Sequence, residues 1–340
     1  GGRMLKLAGE VMREVRGRAE VAERERRNAE SYAVRLESLR RLVAKMADEL
    51  AEDYRFDVSL SEKLRRDLPE TGVACGGCLV TAKRRGIALV PRAVTAEEAE
   101  KGISRVLGGV RVERLGDAGP VWQAAAFAPA PALDIVYAFA SRPKDGNTVS
   151  GDGYSVTGFG TTALVSLCDG SGSGRPASRL TQTALSVIED CCRAGFDAGE
   201  GVDTVNSFLA SRPGEEFGAM DVIAIDLSSG EADIIKAGTP PTLVVRGDTV
   251  TVIGGSSLPV GALETASYSL ARRRLMPGAC VVLVSAGVSD VLRDLSASVS
   301  ASLSSNVRRT AEGILSEAAS CGCRDDMSVL VVRIVEAESA

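Results

Sequence analysis

Residues 162–174 read Thr-Ala-Leu-Val-Ser-Leu-Cys-Asp-Gly-Ser-Gly-Ser-Gly. The apolar run from Ala163 to Cys168 has the length of a buried strand, and the Asp-Gly and Gly-x-Gly pairs beyond it end it in a turn. Asp169 therefore stands at a strand end, and Gly170 frees the backbone to present its carbonyl. A helical stretch follows over 177–193. The same texture extends in both directions. Strands are expected at 134–140, 153–158, 162–168, 219–226, 231–236, 242–246, 249–253, 280–285 and 327–334, with helices at 177–193, 202–211, 289–295 and 306–319. Strands interrupted by helix pairs, rather than alternating with single helices, indicate a β-sandwich flanked by helices, an α+β class.

Three more turns stand beside apolar runs: Ser150-Gly151-Asp152-Gly153, Ser285-Ala286-Gly287 and Arg324-Asp325-Asp326-Met327. Taken singly, each aspartate is most simply a cap or turn residue. Carboxylates at several strand ends can also converge on one site, and clustered oxygen ligands suit Mg²⁺ or Mn²⁺.

Composition narrows the chemistry. Among 340 residues there is no histidine, which excludes Ser-His-Asp and Cys-His systems, His-Glu-x-x-His zinc sites and imidazole bases together. A net charge of −5 gives no support to a nucleic-acid partner. The eight cysteines show no secreted framework. Cys191 and Cys192 are adjacent, and Cys168 and Cys280 end or begin apolar runs, which fits reduced thiols in a cytoplasmic chain. The sequence opens Gly1-Gly2-Arg3 without methionine and reads as a fragment, with room upstream for a membrane anchor.

The chain divides into three parts. Residues 1–52 lack proline and are rich in Glu, Arg and Ala, the signature of a long helix. Tyr32, Leu36, Leu39, Val43, Met46 and Leu50 form a heptad stripe that fits either a coiled-coil homodimer or packing on the chain's own domain. Residues 53–131 read as a small α+β domain: a short helix at 61–67, strands at 73–80, 86–90, 109–115 and 121–127, and a helix opened by Thr95-Ala-Glu-Glu98. Pro129 and Pro131 mark its end, and 132–340 is the sandwich domain.

Five segments carry a resemblance: Val149-Ser-Gly-Asp-Gly-Tyr-Ser155, Asp169-Gly-Ser-Gly-Ser-Gly174, Ala237-Gly-Thr-Pro-Pro241, Leu258-Pro-Val-Gly261 and Asp325-Asp-Met-Ser-Val329. In this order they resemble the metal-dependent protein phosphatases (protein phosphatase 2C-like, PPM), and within them the phosphatases of sporulation. The layout of residues 1–131 is similar to the regulatory region of that branch. The resemblance implies a PPM-type fold and a phosphoserine/phosphothreonine phosphatase with two Mn²⁺ or Mg²⁺ sites. It implies that Asp169 bridges the metals, that Asp152 and the Gly170 carbonyl complete the second site, and that Asp325 holds the first, with Asp326 beside it as a supporting or turn residue. Its implied substrate is a phosphorylated anti-sigma factor antagonist. The family has aspartate where this chain has Ala286, so a ligand of the first metal is missing, by engineered substitution or natural loss, and activity is expected to be impaired. The other reading is a catalytically silent pseudophosphatase that acts as a binding or scaffold module through the N-terminal helix.

Remaining features stay secondary. Lys144, eight residues before Asp152, is a candidate contact for substrate phosphate or a solvated loop lysine. Cys75-Gly-Gly-Cys78 with Cys321-Gly-Cys323 could supply four thiolates to zinc, though without finger spacing. The Gly170–Gly174 turn resembles a dinucleotide loop, but Arg175 takes the place of the third glycine and Asp169 would repel a pyrophosphate.

Overall fold

The computed structural model describes residues 56–211, 217–322 and 324–337, all within one compact unit, Leu50–Ala340. The long helix expected over 1–52, and the dimer it would make, lie outside these residues. No helix among the described residues is long and apolar enough to cross a membrane.

A small layer comes first. Helix α1 (Val58–Asp67) and a 3₁₀ turn (Pro69–Thr71) lead into strands β1 (Gly77–Val80) and β2 (Gly86–Pro91), helix α2 (Ala96–Leu107), and strands β3 (Val110–Asp117) and β4 (Trp122–Pro129). The four strands are antiparallel in the order β1-β2-β4-β3. Thr95 and Glu98 form a reciprocal capping box that starts α2, as the sequence pattern requires. Leu64, Val80, Val90, Ile103 and Phe127 close this layer's own core. The strand expected at 73–80 is shorter than its apolar content suggests. A bend at Gly76 delays it to Gly77, and Val73 is buried against the helices instead.

The second part holds β5 (Leu133–Arg142), β6 (Asp152–Phe159), β7 (Thr162–Gly170), α3 (Gly174–Arg193), α4 (Ala198–Ala210), β8 (Gly218–Asp226), β9 (Glu231–Ala237), β10 (Thr242–Arg246), β11 (Thr249–Ile253), β12 (Ser269–Arg274), β13 (Cys280–Val284), α5 (Ala286–Ser289), α6 (Leu295–Ser302), α7 (Val307–Ser320) and β14 (Met327–Glu336). Two antiparallel five-stranded sheets, β11-β10-β13-β14-β5 and β12-β9-β8-β7-β6, pack face to face. Alternate residues such as Leu133, Val165, Ile223, Ile234, Leu283 and Leu330 fill the space between them, the period-two burial of a sandwich. The outer faces are covered by helices. Leu180, Ile188 and Val205 of α3 and α4 pack on Leu164, Met220 and Val222, and Val299 and Ile314 of α6 and α7 pack on Val282 and Val329. Phe139 and Tyr154, from the two edge strands β5 and β6, stack with ring centroids 4.2 Å apart.

Two expectations need correction. The helix expected at 289–295 is instead a four-residue α5 that stops at Ser289, followed by a separate α6. The Asp294 side chain accepts from Ala297 N–H at 3.0 Å and starts the new helix. Strand β12 was not expected. Ser-Leu-Ala-Arg-Arg-Arg carries no apolar run, and this strand exists through its ladder with β9, with arginines suited to a sheet edge. The antiparallel strand before the Gly170–Gly174 turn also removes the dinucleotide reading, which needs a parallel βαβ unit.

Candidate metal centre

At one end the layer between the sheets turns from apolar to polar. Asp152 at the start of β6 and Asp169 near the end of β7 are direct cross-strand neighbours. Asp152 is only 8% exposed, and neither of its carboxylate oxygens accepts a hydrogen bond of ordinary geometry, its polar neighbours being the Ser285 and Ser328 hydroxyls and Asp169. Buried oxygens without such bonds are costly, so this carboxylate is built for an occupant. From the facing sheet, Ser285 Oγ accepts from Ser328 N–H at 2.9 Å, and Ser328 Oγ donates to Ser141 Oγ at 3.1 Å. Burial pushes the Asp152 carboxyl up to about 6. Burial and the neighbouring Asp152 charge push Asp169 up to about 8, with Asp325 adding to the effect and the Ala286 N–H opposing it.

Helix α3 presses on the backbone that carries both carboxylates. Thr181 Oγ1 donates to the Gly151 carbonyl at 2.6 Å. A Cβ at Gly153 would lie 2.7 Å from Thr181 Cγ2, and one at Gly170 would lie 2.6 Å from Thr181 Oγ1 and 2.9 Å from the Ala177 carbonyl oxygen. The glycines beside Asp152 and Asp169 thus permit a contact that no other residue allows, and the position of α3 sets the position of the pair.

The remaining site residues fall on the facing sheet. Asp326 is 3% exposed, and its two oxygens accept from Lys144 N–H at 2.7 Å and Gly151 N–H at 2.8 Å. It is a clamp on the loop between β5 and β6, which resolves the choice of supporting against solvated residue. Asp325 is exposed at the rim and accepts from Asp326 N–H at 2.9 Å. Lys144 lies on the clamped loop with its side chain exposed. Ala286 opens α5. A Cβ at the next position, Gly287, would stand 2.1 Å from the Asp326 carbonyl oxygen, so the Ser-x-Gly turn is held tightly against the Asp325-Asp326 turn.

Sequence reasoning missed one pair. Asp221 of β8 and Lys236 of β9 are register partners with side chains each 1% exposed, and Lys236 Nζ lies 2.5 Å from Asp221 Oδ1. Lys236 also donates to Thr242 Oγ1 of the facing sheet at 2.8 Å, and Thr239 donates to Asp221 at 2.9 Å. Burial alone pushes each group toward its neutral form, and the ion pair with its hydroxyl partners opposes that. The available signal was one charge of each sign inside an apolar strand.

The donor set can be tested against a cation. Asp152, Asp169 and the Gly170 carbonyl are hard oxygen donors, and Mg²⁺-type ions bind through one or two carboxylates while keeping several waters. This half of the centre fits. Among the described residues no three His, Cys, Asp or Glu side chains gather tightly enough to hold an ion alone, so Cys75, Cys78 and Cys321 do not come together as the four-thiolate zinc reading needs, and its fourth member, Cys323, lies outside the described residues. At 286 a methyl group stands where the resemblance calls for a carboxylate, and this half does not fit.

A consequence is measurable. Both carboxyls are raised from the ordinary range near 3.9, so their contribution to metal-free stability is complete below about pH 4 and is lost as pH rises through about 6 and about 8. A cation displaces the retained protons. Titrating Mn²⁺ into the protein at neutral pH should release about one proton, mostly from Asp169, and the number should fall toward zero near pH 9. Calorimetry in two buffers of different ionisation enthalpy measures this. Proton uptake, or no release at neutral pH, would contradict the paired carboxyls.

The profile of stage II sporulation protein E (SpoIIE) matches residues 160–335, a span that holds Asp169, Gly170, Ala286 and Asp325. The chain is 28% identical to stage II sporulation protein E of Bacillus subtilis (strain 168) over 151 residues, covering 44% of this chain and 18% of that protein. It is 30% identical to the Priestia megaterium protein over 152 residues, covering 44% and 26%. The match thus spans only 18% to 26% of these curated relatives. The solved PP2C phosphatase domain of SpoIIE from Bacillus subtilis, with a fragment of its regulatory domain, superposes with a TM-score of 0.69 at 21% identity, covering 92% of this chain and 97% of that one. The RsbU and RsbW domains of Rv1364c from Mycobacterium tuberculosis superpose at 0.53 with 21% identity, covering 62% of each chain. These two structures show the fold: the sandwich is of PP2C type, and the likeness to the first reaches across nearly the whole chain. With more than half of its residues inside one profile and the polar sandwich end in place, the chain belongs to the stage II sporulation protein E (SpoIIE) family.

Proposed function

We propose that this chain is a divalent-metal-dependent phosphatase that removes phosphate from phosphoserine or phosphothreonine in a protein. The observation that carries it is the cross-strand pair of buried Asp152 and half-buried Asp169, with both Asp152 oxygens lacking a hydrogen bond of ordinary geometry. A divalent cation, when bound, supplies Lewis acidity toward the phosphoryl group and water of lowered pKa. Asp152, Asp169 and the Gly170 carbonyl would hold it, and Asp325 stands at the rim to extend the set. Among the described residues, no side chain at this centre is poised as a nucleophile. There is no histidine, Ser285 and Ser328 are engaged with each other's turns, and burial pushes the Cys168 thiol up to about 12. Asp326 fixes the loop that carries Lys144, whose ammonium would meet a phosphate dianion.

Membership of the SpoIIE family supports a substrate in sporulation, a phosphorylated anti-sigma factor antagonist, and Mn²⁺ as the working metal. Ala286 supports reduced activity, and it also favours the second reading of a silent domain that only binds this partner. Phosphate release from a phosphoserine protein with Mn²⁺ separates the two. The expected result is measurable release that Asp169→Asn lowers by about 100-fold or more, with the variant's unfolding midpoint not reduced. Release that survives Asp169→Asn would remove the assignment, and silence even after an aspartate is supplied at 286 would favour the binding module.

A further inference from the structure

The small domain carries a motif that the metal centre does not use, Cys75-Gly76-Gly77-Cys78. The chain bends at Gly76, where a Cβ would come within 2.8 Å of the Trp122 indole, and Gly76 N–H donates to the Leu89 carbonyl at 2.9 Å. This pinned bend turns both cysteines onto the same core of the small layer, against which the two side chains pack. Both are free and half-buried. Helix α1 faces them with Arg65 and with the Ser61 carbonyl, which accepts from Cys78 Sγ at 3.1 Å. Among the described residues no third ligand joins them to make a metal site.

We propose that Cys75 and Cys78 form a redox-active dithiol that closes to an intramolecular disulfide by exchange with a low-molecular-weight disulfide. Cys75 is the attacking sulfur. Its thiol is drawn down to about 6 by the neighbouring Cys78 thiol, whose single S–H is shared with the Ser61 carbonyl, helped by the Gly77 N–H and the Arg65 charge against the opposing effect of burial. Burial instead raises the thiols of Cys168, Cys191, Cys192 and Cys280. The Cys75 thiolate attacks one sulfur of the small disulfide, forms a mixed disulfide and expels one thiolate. Cys78 then loses its proton to solvent and attacks Cys75 Sγ, and the second small thiolate leaves. Two cysteines are oxidised and one small disulfide is reduced to two thiols.

Closure has a structural cost at one place. The bond from Cys78 Sγ to Ser61 is one of four that tie α1 to β1, beside Asp57 N–H to the Val80 carbonyl at 2.7 Å, Val80 N–H to Ser61 Oγ at 2.9 Å and Ser61 Oγ to the Val80 carbonyl at 3.5 Å. The oxidised state gives that tie up.

The test uses the full chain, reduced and then exposed to oxidised glutathione at neutral pH, alkylated, digested and weighed. The Cys75–Cys78 peptide should lose the mass of two hydrogens and resist alkylation, while the exposed Cys321 stays alkylatable. Cys78→Ser should trap glutathione on Cys75, and Cys75→Ser should carry about tenfold less on Cys78, with circular dichroism confirming that both variants fold. Alkylation of both cysteines at the level of Cys321, or equal adducts in the two variants, would overturn the proposal.

Discussion

Ala286→Asp is expected to raise Mn²⁺-dependent phosphate release by about tenfold or more, the equivalent of about 1.4 kcal/mol of added affinity or transition-state stabilisation. Residue 286 opens α5 with its N–H directed at Asp169, and Gly287 holds the turn against Asp325-Asp326. A carboxylate there would join Asp169 and Asp325 at the half of the centre that lacks a ligand. The same charge carries a penalty without metal, since one more carboxylate beside Asp152 and Asp169, already raised by burial and by Asp326 and Asp325, adds to the mutual repulsion. The variant should therefore unfold at lower temperature than the parent in chelator and show the larger gain in melting temperature on adding Mn²⁺. The two readings move in opposite directions, which a merely misfolded variant would not do. No gain in release at saturating Mn²⁺, in a variant that binds the metal more tightly, would sink the idea that position 286 limits activity.

Lys236→Ala should destabilise the protein by about 3–5 kcal/mol, because it strands the Asp221 carboxylate in the core with only threonine hydroxyls to meet it. Lys236 also reaches Thr242 on the facing sheet, so its loss loosens the sandwich at the end that carries the metal centre. Replacing the pair together, Lys236→Met with Asp221→Leu, should recover more than half of the loss, since well-packed apolar groups often match a buried ion pair. Urea unfolding followed by circular dichroism measures both. A loss below about 1 kcal/mol for Lys236→Ala would place the pair among surface-like bridges and contradict its burial. The double variant also asks whether the pair serves the site. If it folds normally but loses Mn²⁺ affinity, the charge at this end of the core matters beyond stability.

Much of this molecule is written locally. Runs such as Ala163 to Cys168 and Met327 to Ile334 become strands wherever they are placed, because alternate or continuous apolar residues have few other ways to leave water. Thr95 with Glu98 announces its helix start through a cap that needs only neighbouring residues, whereas the like pair Asp197 with Glu200 starts α4 at Ala198, ahead of the helix expected from 202. Asp152, Asp169 and Asp325 were legible as strand-end carboxylates, and the order of five short segments told which fold would gather them. The methyl at 286 could be noticed for the same reason.

Other features depend on partners far along the chain. Strand β12 has no apolar pattern of its own and exists through its ladder with β9. Asp326 looked interchangeable with Asp325 until the fold brought the amides of Lys144 and Gly151 to it across 182 and 175 residues of sequence. Asp221 and Lys236 read as isolated charges until register set them side by side. The sequence by itself determined most of the strands, the Thr95 cap and which strand-end aspartates could serve as ligands, because those rest on side-chain chemistry and short-range periodicity. Only the tertiary structure decided that Asp152 is buried under α3 beside a half-buried Asp169, because burial and cross-strand register come from the packing of two sheets and a helix at once.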